Sequence, residues 1–108
     1  MSSVPPKVSP FSFGDEPASF GDTVSIQCTI SGGDTPIFVI WKLNNEPIVN
    51  NHKNILLDKR GQRIHMLTIE SVSAKHIGNY TCSASNRAGV VDYVSELLVN
   101  GLTLIQFH

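Results

Sequence analysis

Two cysteines on the apolar sides of two alternating segments constrain the fold of this chain more than any other feature. Cys28 lies in TVSIQCTI and Cys82 in GNYTCSAS, and in each segment every second residue is small or apolar, as in a strand with one buried face. The only tryptophan, Trp41, takes the apolar side of VIWKL between them. We therefore predict a disulfide between Cys28 and Cys82 across two sheets. The alternative is a pair of buried thiols, since two cysteines alone do not make a zinc site.

Proline and glycine interrupt the chain at short intervals, and alternating apolar stretches lie between them. This spacing favours many short strands over helices. A length of 108 residues is that of one domain. The prediction is one all-β sandwich of two antiparallel sheets, with strands at residues 8–13, 17–20, 23–31, 37–43, 46–50, 53–58, 63–70, 78–86 and 90–99.

Composition excludes several classes of partner. The chain is 41% hydrophobic and 16% charged, with a formal net charge of −1, so disorder and nucleic-acid binding are not expected. No apolar run is long enough to span a bilayer, and MSSVPPKV lacks the apolar core of a signal peptide. If the protein is extracellular, its leader and any membrane anchor are expected outside this chain, which would not itself contact the membrane.

No residue pattern indicates catalysis, a metal or a cofactor. The carboxylates are scattered, without a pair suited to acid–base chemistry. Asp15, Asp22 and Asp34 are not spaced as a calcium-ligand run. We predict a surface position, without metal-ligand spacing, for each of the four histidines: His52, His65, His76 and His108. An enzyme is therefore not expected.

The segment LTIESVSAKHIGNYTCSASNRAG, together with Cys28, Trp41 and the Tyr80-x-Cys82 step, resembles I-set immunoglobulin domains from strand E to strand G. The resemblance covers residues 4–100, and the tail at 101–108 is of open origin. It implies that Asn86, with the residues around it, shapes the hairpin between strands F and G. It further implies a core filled by Leu67, Ile69 and Val72, a tight turn at Gly78 and a tyrosine corner at Tyr80.

A more specific resemblance lies at the amino-terminal end. The motifs PPKV, PFSF, FGD before strand B and GD.P before strand C are similar to the seventh immunoglobulin domain of the arthropod Down syndrome cell adhesion molecule (Dscam) family. They are also similar to the related first domain of the shortened Dscam proteins of chelicerates. This resemblance implies an extracellular domain of a single-pass cell-surface receptor, with neighbouring immunoglobulin domains, alternative isoforms and a role in neuronal self-recognition.

The chain departs from that family at two places. His76 stands where the family has an aspartate that pairs with a basic residue near the start of strand D, so a weaker link is expected there. The segment NGLTLIQFH continues apolar where the family runs into a proline-containing linker.

The Dscam resemblance implies a homophilic, antiparallel contact with an identical copy through the A/B/E/D sheet. Alternation places weakly charged side chains outward on strands B, D and E, and a nearly neutral face avoids opposing like charges across a twofold axis. The residues predicted for this interface are Thr23, Ser25, Gln27, Leu56, Ile64, Met66 and Thr68. One alternative is that Ile64 and Met66 cap a sheet edge under loops.

Other uses of the surface stay open. The opposite C/F/G sheet would present Phe38 and Ile40, with Val90 and Val94 near them, to a different protein partner or a neighbouring domain. The domain could also be a structural spacer whose chain binds elsewhere. The tail LTLIQF alternates and is rich in β-formers, so it could extend strand G or pair with a free edge.

The chain contains one N-glycosylation sequon, NYT at residues 79–81. Its acceptor is Asn79, at the predicted start of strand F beside the tyrosine corner. Asn79 is therefore a candidate glycosylation site.

Overall fold

The computed structural model describes residues 3–100. Within that range the chain forms ten strands and two short 3-10 helices. The strands are β1 (Lys7–Val8), β2 (Ala18–Ser19), β3 (Val24–Gly32), β4 (Phe38–Leu43), β5 (Glu46–Pro47), β6 (Ile55–Arg60), β7 (Ile64–Ile69), β8 (Gly78–Asn86), β9 (Gly89–Leu97) and β10 (Val99–Asn100). The 3-10 helices are His52–Asn54 and Ala74–His76.

Two four-stranded antiparallel sheets form a sandwich. One has the order β1-β3-β7-β6 and the other β5-β4-β8-β9, while β2 and β10 make a separate parallel pair. The expected strands B, E and D are β3, β7 and β6, and the expected strands C, F and G are β4, β8 and β9. The prediction of an all-β sandwich is confirmed.

The disulfide predicted from the sequence joins the two sheets. Cys28 on β3 and Cys82 on β8 are bonded, with their Cα atoms 6.4 Å apart, and both are fully buried. Trp41 lies directly opposite Cys82 on the neighbouring strand β4. The bridge therefore lies at the centre of the core, with Leu67, Ile69 and Val72 fully buried around it.

The strand predicted at residues 8–13 is wrong beyond Val8. After β1 the chain leaves the first sheet and packs two partly buried aromatic side chains against residues of the second sheet. The ring of Phe11 lies 5.8 Å from that of Trp41 and 4.8 Å from that of Tyr93, and the ring of Phe13 lies 5.2 Å from that of Tyr80. Burying two aromatic rings outweighs the few strand hydrogen bonds that the segment forgoes.

One further strand is shorter than predicted, and another, Ile55–Arg60, is shifted by two residues along the chain. The strand at 46–50 ends at Pro47, and the one at 53–58 begins only at Ile55. Between them Asn51, Lys53 and Asn54 adopt left-handed backbone angles, with φ of 70°, 56° and 61°. A strand cannot continue through such residues, and asparagine is among the few side chains that tolerate them.

The tyrosine corner is formed by a buried hydrogen bond. The Tyr80 hydroxyl donates to the backbone carbonyl of His76 at 2.6 Å, and the side chain is fully buried. Burial raises the pKa of the Tyr80 phenol above its usual value, so the group stays a hydrogen-bond donor at neutral pH. The bond fastens the second 3-10 helix to the start of β8.

Replacing Tyr80 by phenylalanine is expected to lower the free energy of unfolding by about 1–3 kcal/mol, because the buried carbonyl of His76 loses its donor. The ring and its contact with Phe13 are retained, so packing is unchanged. Urea unfolding followed by circular dichroism measures the difference. An unchanged midpoint would show that the hydroxyl does not stabilise the corner.

Gly78 does not itself form the tight turn that was predicted. The second 3-10 helix makes the turn, and Gly78 is the first residue of β8. A Cβ on Gly78 would lie 2.5 Å from Oδ1 of Asn44, and its φ is +150°. That Oδ1 accepts a hydrogen bond from the Asn79 amide at 3.0 Å, so glycine is required here for close approach to Asn44.

The prediction of surface positions is wrong for two histidines. His65 is 8% exposed on the inner side of β7, and His76 is fully buried. Nδ1 of His76 accepts a hydrogen bond from the Ser73 amide at 3.0 Å, and its Nε2 lies 2.7 Å from the Lys53 carbonyl. A neutral ring with its proton on Nε2 satisfies both groups. His76 thus links the two 3-10 helices through hydrogen bonds, at the position where the resemblance implies an ion pair.

His52 is exposed, and His108 lies outside the described residues together with the tail at 101–108. Between residues 3 and 100, no helix is long and apolar enough to cross a membrane.

Candidate functional site

The outward side of the β1-β3-β7-β6 sheet, which we call the first face, holds the residues predicted to form an interface. Strand register aligns them in rows across β3, β7 and β6: Ser25, Thr68 and Leu56; Gln27, Met66 and Asp58; Thr29, Ile64 and Arg60. Thr23 extends the pattern just before β3, where its hydroxyl donates to the Glu70 carbonyl at 2.7 Å. The structure therefore brings all the predicted interface residues onto one surface.

The apolar centre of the first face is Met66 with Ile64. Both are half-buried on β7, which pairs with β3 on one side and β6 on the other. The alternative that these residues cap a sheet edge is therefore wrong. Leu56, 36% exposed on β6, adds a third apolar group diagonally next to Met66.

Several polar groups of the first face already bond to one another. The hydroxyls of Ser25 and Thr68 lie 3.3 Å apart, and the Gln27 amide donates to the Thr29 hydroxyl at 3.0 Å. Groups that have partners within the sheet lose less on being covered than groups that bond only water. This arrangement lowers the cost of burying the face against another surface.

Sequence reasoning missed two charged residues of the first face. Asp58 and Arg60 are exposed on β6, in the rows of Met66 and Ile64 respectively. The signal was present, because the alternation that turns Leu56 outward does the same at positions 58 and 60. Their opposite charges cancel while giving the face a local polarity.

The outward side of the β5-β4-β8-β9 sheet, the second face, is more apolar than the first. Phe38 and Ile40 on β4, and Val90 and Val94 on β9, are each more than half exposed. Several exposed apolar groups on one face make that face a candidate interaction surface. The second face is therefore a rival to the first.

Asn79 lies at one end of the second face. Its side chain is exposed and points outward, because the next residue, Tyr80, faces the core. It is paired with Glu96 on β9 and lies beside Asn44. The sequon is thus on the same side of the sandwich as the rival apolar surface.

The described residues do not assemble a catalytic centre. A cleft of about 670 Å³ is open and lies between β4 and β6, with Trp41, Ile48, Leu57 and His65 among its lining residues. Nε2 of His65 there lies 2.9 Å from the Gln62 carbonyl, so its ring already has a backbone partner. Between residues 3 and 100, no group of three or more His, Cys, Asp or Glu is placed to hold a metal.

Comparison with known proteins places the chain among adhesion-molecule domains. The family model described as "Immunoglobulin domain" matches residues 5–86. The chain is 45% identical over 97 residues to cell adhesion molecule Dscam1 of Drosophila melanogaster, covering 90% of this chain and 5% of that protein. It is 40% identical over 96 residues to cell adhesion molecule DSCAML1 of Homo sapiens, covering 89% of this chain and 4% of that protein.

A solved structure of a related domain has the same fold. The crystal structure of the Dscam1 Ig7 domain, isoform 5, superposes with a TM-score of 0.89 at 41% identity, covering 92% of this chain and 100% of that one. The related sequences and the superposed structure are therefore the same kind of domain. The chain spans only about a twentieth of the length of the adhesion molecules it resembles.

Proposed function

The chain belongs to the immunoglobulin domain family, which is non-enzymatic, and on that premise we propose that it is a cell-adhesion module that binds an identical copy of itself. The contact is antiparallel and uses the first face. The module is one of several immunoglobulin domains in an extracellular receptor. The first face, with its apolar centre and internally bonded polar groups, carries this proposal.

An extracellular position agrees with the chemistry of the core. The bond between Cys28 and Cys82 is formed and kept in an oxidising compartment, as found outside the cell. The relatives are about twenty times longer than this chain and are named as cell adhesion molecules. A single module of this size binds weakly, so several domains or copies in one receptor would raise the avidity.

Charge supports a twofold contact on the first face. In an antiparallel pair whose twofold axis crosses the strands at right angles, β6 lies over β6 of the second copy and runs in the opposite direction. If the axis passes between the row of Asp58 and the row of Arg60, Asp58 of each copy lies opposite Arg60 of the other copy. Opposite charges placed in this way favour the correct register and disfavour unlike copies.

We expect the double variant Leu56→Asp/Met66→Asp to be monomeric under conditions in which the parent domain dimerises. Both side chains lie on the first face, so the change places like charges at the contact without disturbing the core. Sedimentation velocity gives the mass of each form. The matched control is Ile40→Asp/Val94→Asp on the second face, which should dimerise like the parent.

A double variant of the first face that still dimerises like the parent would show that this face is wrong. The alternative function is a heterophilic module that binds through the second face, favoured by its four exposed apolar side chains. Loss of dimers only in the second-face control would support use of that face. A parent domain that stays monomeric at all concentrations would instead support a structural spacer.

A further inference from the structure

On the second face, the outward side chains of β8 are small and most of those on the strands to either side are larger, so together they outline a groove along β8. Its floor is a line of small hydroxyl side chains, Thr81, Ser83 and Ser85, which alternate with the inward residues of the strand. One wall comes from β4 and the other from β9. Register places Phe38 and Val90 on either side of Ser85, and Ile40 and Asp92 on either side of Ser83. Lys42 and Val94 lie on either side of Thr81. The larger flanking side chains leave Thr81 only 6% exposed.

The chemistry of this groove suits a carbohydrate. Each sugar ring has apolar C–H surfaces and a rim of hydroxyl groups. The walls of the groove offer aromatic and aliphatic surface, and the floor offers the half-buried hydroxyls of Ser83 and Ser85, which both donate and accept hydrogen bonds. A protein partner of the usual kind would instead be met by large anchors at the centre of the patch, which is where this face has its smallest side chains.

The only sequon of the chain begins at one end of the same groove. Asn79 is the outward residue of β8 two positions before Thr81, and its exposed side chain lies on the same side of the sheet. Outward residues follow each other at about 6.6 Å along a strand. The row of Val94 is thus one such step from Asn79, and the row of Phe38 and Val90 is about 20 Å away, within reach of a chain of several sugars.

We propose that Asn79 carries an N-linked glycan whose first sugars lie in this groove and cover the apolar walls of the second face. The proposal rests on the extracellular location proposed above and is independent of the homophilic contact. In the transfer, Nδ2 of Asn79 bonds to C1 of the first N-acetylglucosamine of a lipid-diphosphate-linked oligosaccharide. The bond from C1 to the diphosphate breaks, the lipid diphosphate leaves, and Nδ2 releases one proton. Nothing is oxidised or reduced.

A glycan in this position explains why an apolar surface persists on the second face. The sugars shield Phe38, Ile40, Val90 and Val94 from water and from other proteins, as a covered surface requires. They leave the first face, on the other side of the sandwich, open to a second copy. The glycan would thereby direct association to one of two competing sheets.

Mass spectrometry of the domain secreted from a glycosylating eukaryotic cell tests the attachment. The parent is expected to carry a glycan mass on the peptide containing Asn79. Thr81→Ser keeps the sequon and should retain that mass, whereas Asn79→Gln should lose it. An unoccupied Asn79 in the secreted parent overturns the proposal.

Nuclear Overhauser contacts test whether the sugars lie in the groove. We expect contacts from sugar protons to the methyl groups of Ile40 and Val94 in the parent, and their loss in Asn79→Gln. An occupied Asn79 without such contacts overturns the groove and leaves the second face open to a protein partner. Dimer formation is measured on the same samples. If Asn79→Gln loses the glycan mass but dimerises like the parent, the homophilic contact does not depend on the glycan. If the parent carries the glycan but stays monomeric, the homophilic contact is wrong and the glycan proposal stands.

Discussion

Replacing Cys28 and Cys82 together by alanine is expected to lower the free energy of unfolding by about 4 kcal/mol. The bridge joins residues separated by 54 positions, and the loop-entropy model assigns about that stabilisation to closing a loop of this length. A domain of this size is stable by only about 5–15 kcal/mol. The variant is therefore expected to unfold well below the temperature at which the parent does.

Equilibrium unfolding in urea, followed by circular dichroism, measures this loss. Trp41 lies opposite Cys82, so tryptophan fluorescence gives a second probe of the same part of the core. The parent with its disulfide reduced should resemble the double alanine variant, because both lack the same constraint on the unfolded chain. Equal stability of the oxidised and reduced parent would mean that the disulfide adds nothing to the stability of the core.

Replacing His76 by leucine is expected to lower the free energy of unfolding by about 3 kcal/mol, the second largest effect. The change removes the ring partners of two backbone groups, the Ser73 amide and the Lys53 carbonyl. Their hydrogen bonds to His76 are part-buried, and leaving such a group unpaired costs about 1–3 kcal/mol. The Lys53 carbonyl belongs to a residue in the left-handed conformation. His76 therefore also holds a backbone geometry that lysine does not favour.

Two matched variants separate the two bonds of His76. Asparagine places an oxygen near the position of Nδ1 and keeps the bond from the Ser73 amide, while glutamine places an amide donor near the position of Nε2 and keeps the bond to Lys53. Each is expected to recover about half of the loss seen with leucine, by urea unfolding. If leucine is as stable as histidine, the hydrogen bonds contribute nothing beyond the packing of an apolar side chain.

The sandwich and its two faces were predictable from the sequence because strand alternation has a period of two. Buried Ile26, Cys28 and Ile30 alternate with polar residues along β3, and the same pattern on β7 separates the core from the first face. One bulky side chain in every second position is enough to show which way each residue points. The disulfide followed, because both cysteines take the inward positions.

The histidines show where this reasoning stops. Local sequence around His76 carries no sign of burial, whereas the alternation that turns Leu67 and Ile69 inward also turns His65 inward. His76 is buried because its two ring nitrogens meet Ser73 and Lys53, and Lys53 lies 23 positions away in the chain. A polar side chain enters a core only where such partners exist, and those partners are brought together by folding.

The sequence by itself determined the sandwich, the disulfide and the direction in which each strand residue points. The tertiary structure alone decided which residues are neighbours: the rings of Phe11 and Phe13 against Trp41 and Tyr80, Asp58 and Arg60 beside the apolar centre of the first face, and the hydroxyl groove that begins at Asn79. The reason is physical. Alternation is a property of one strand, whereas register and crossing depend on contacts between segments far apart in the chain.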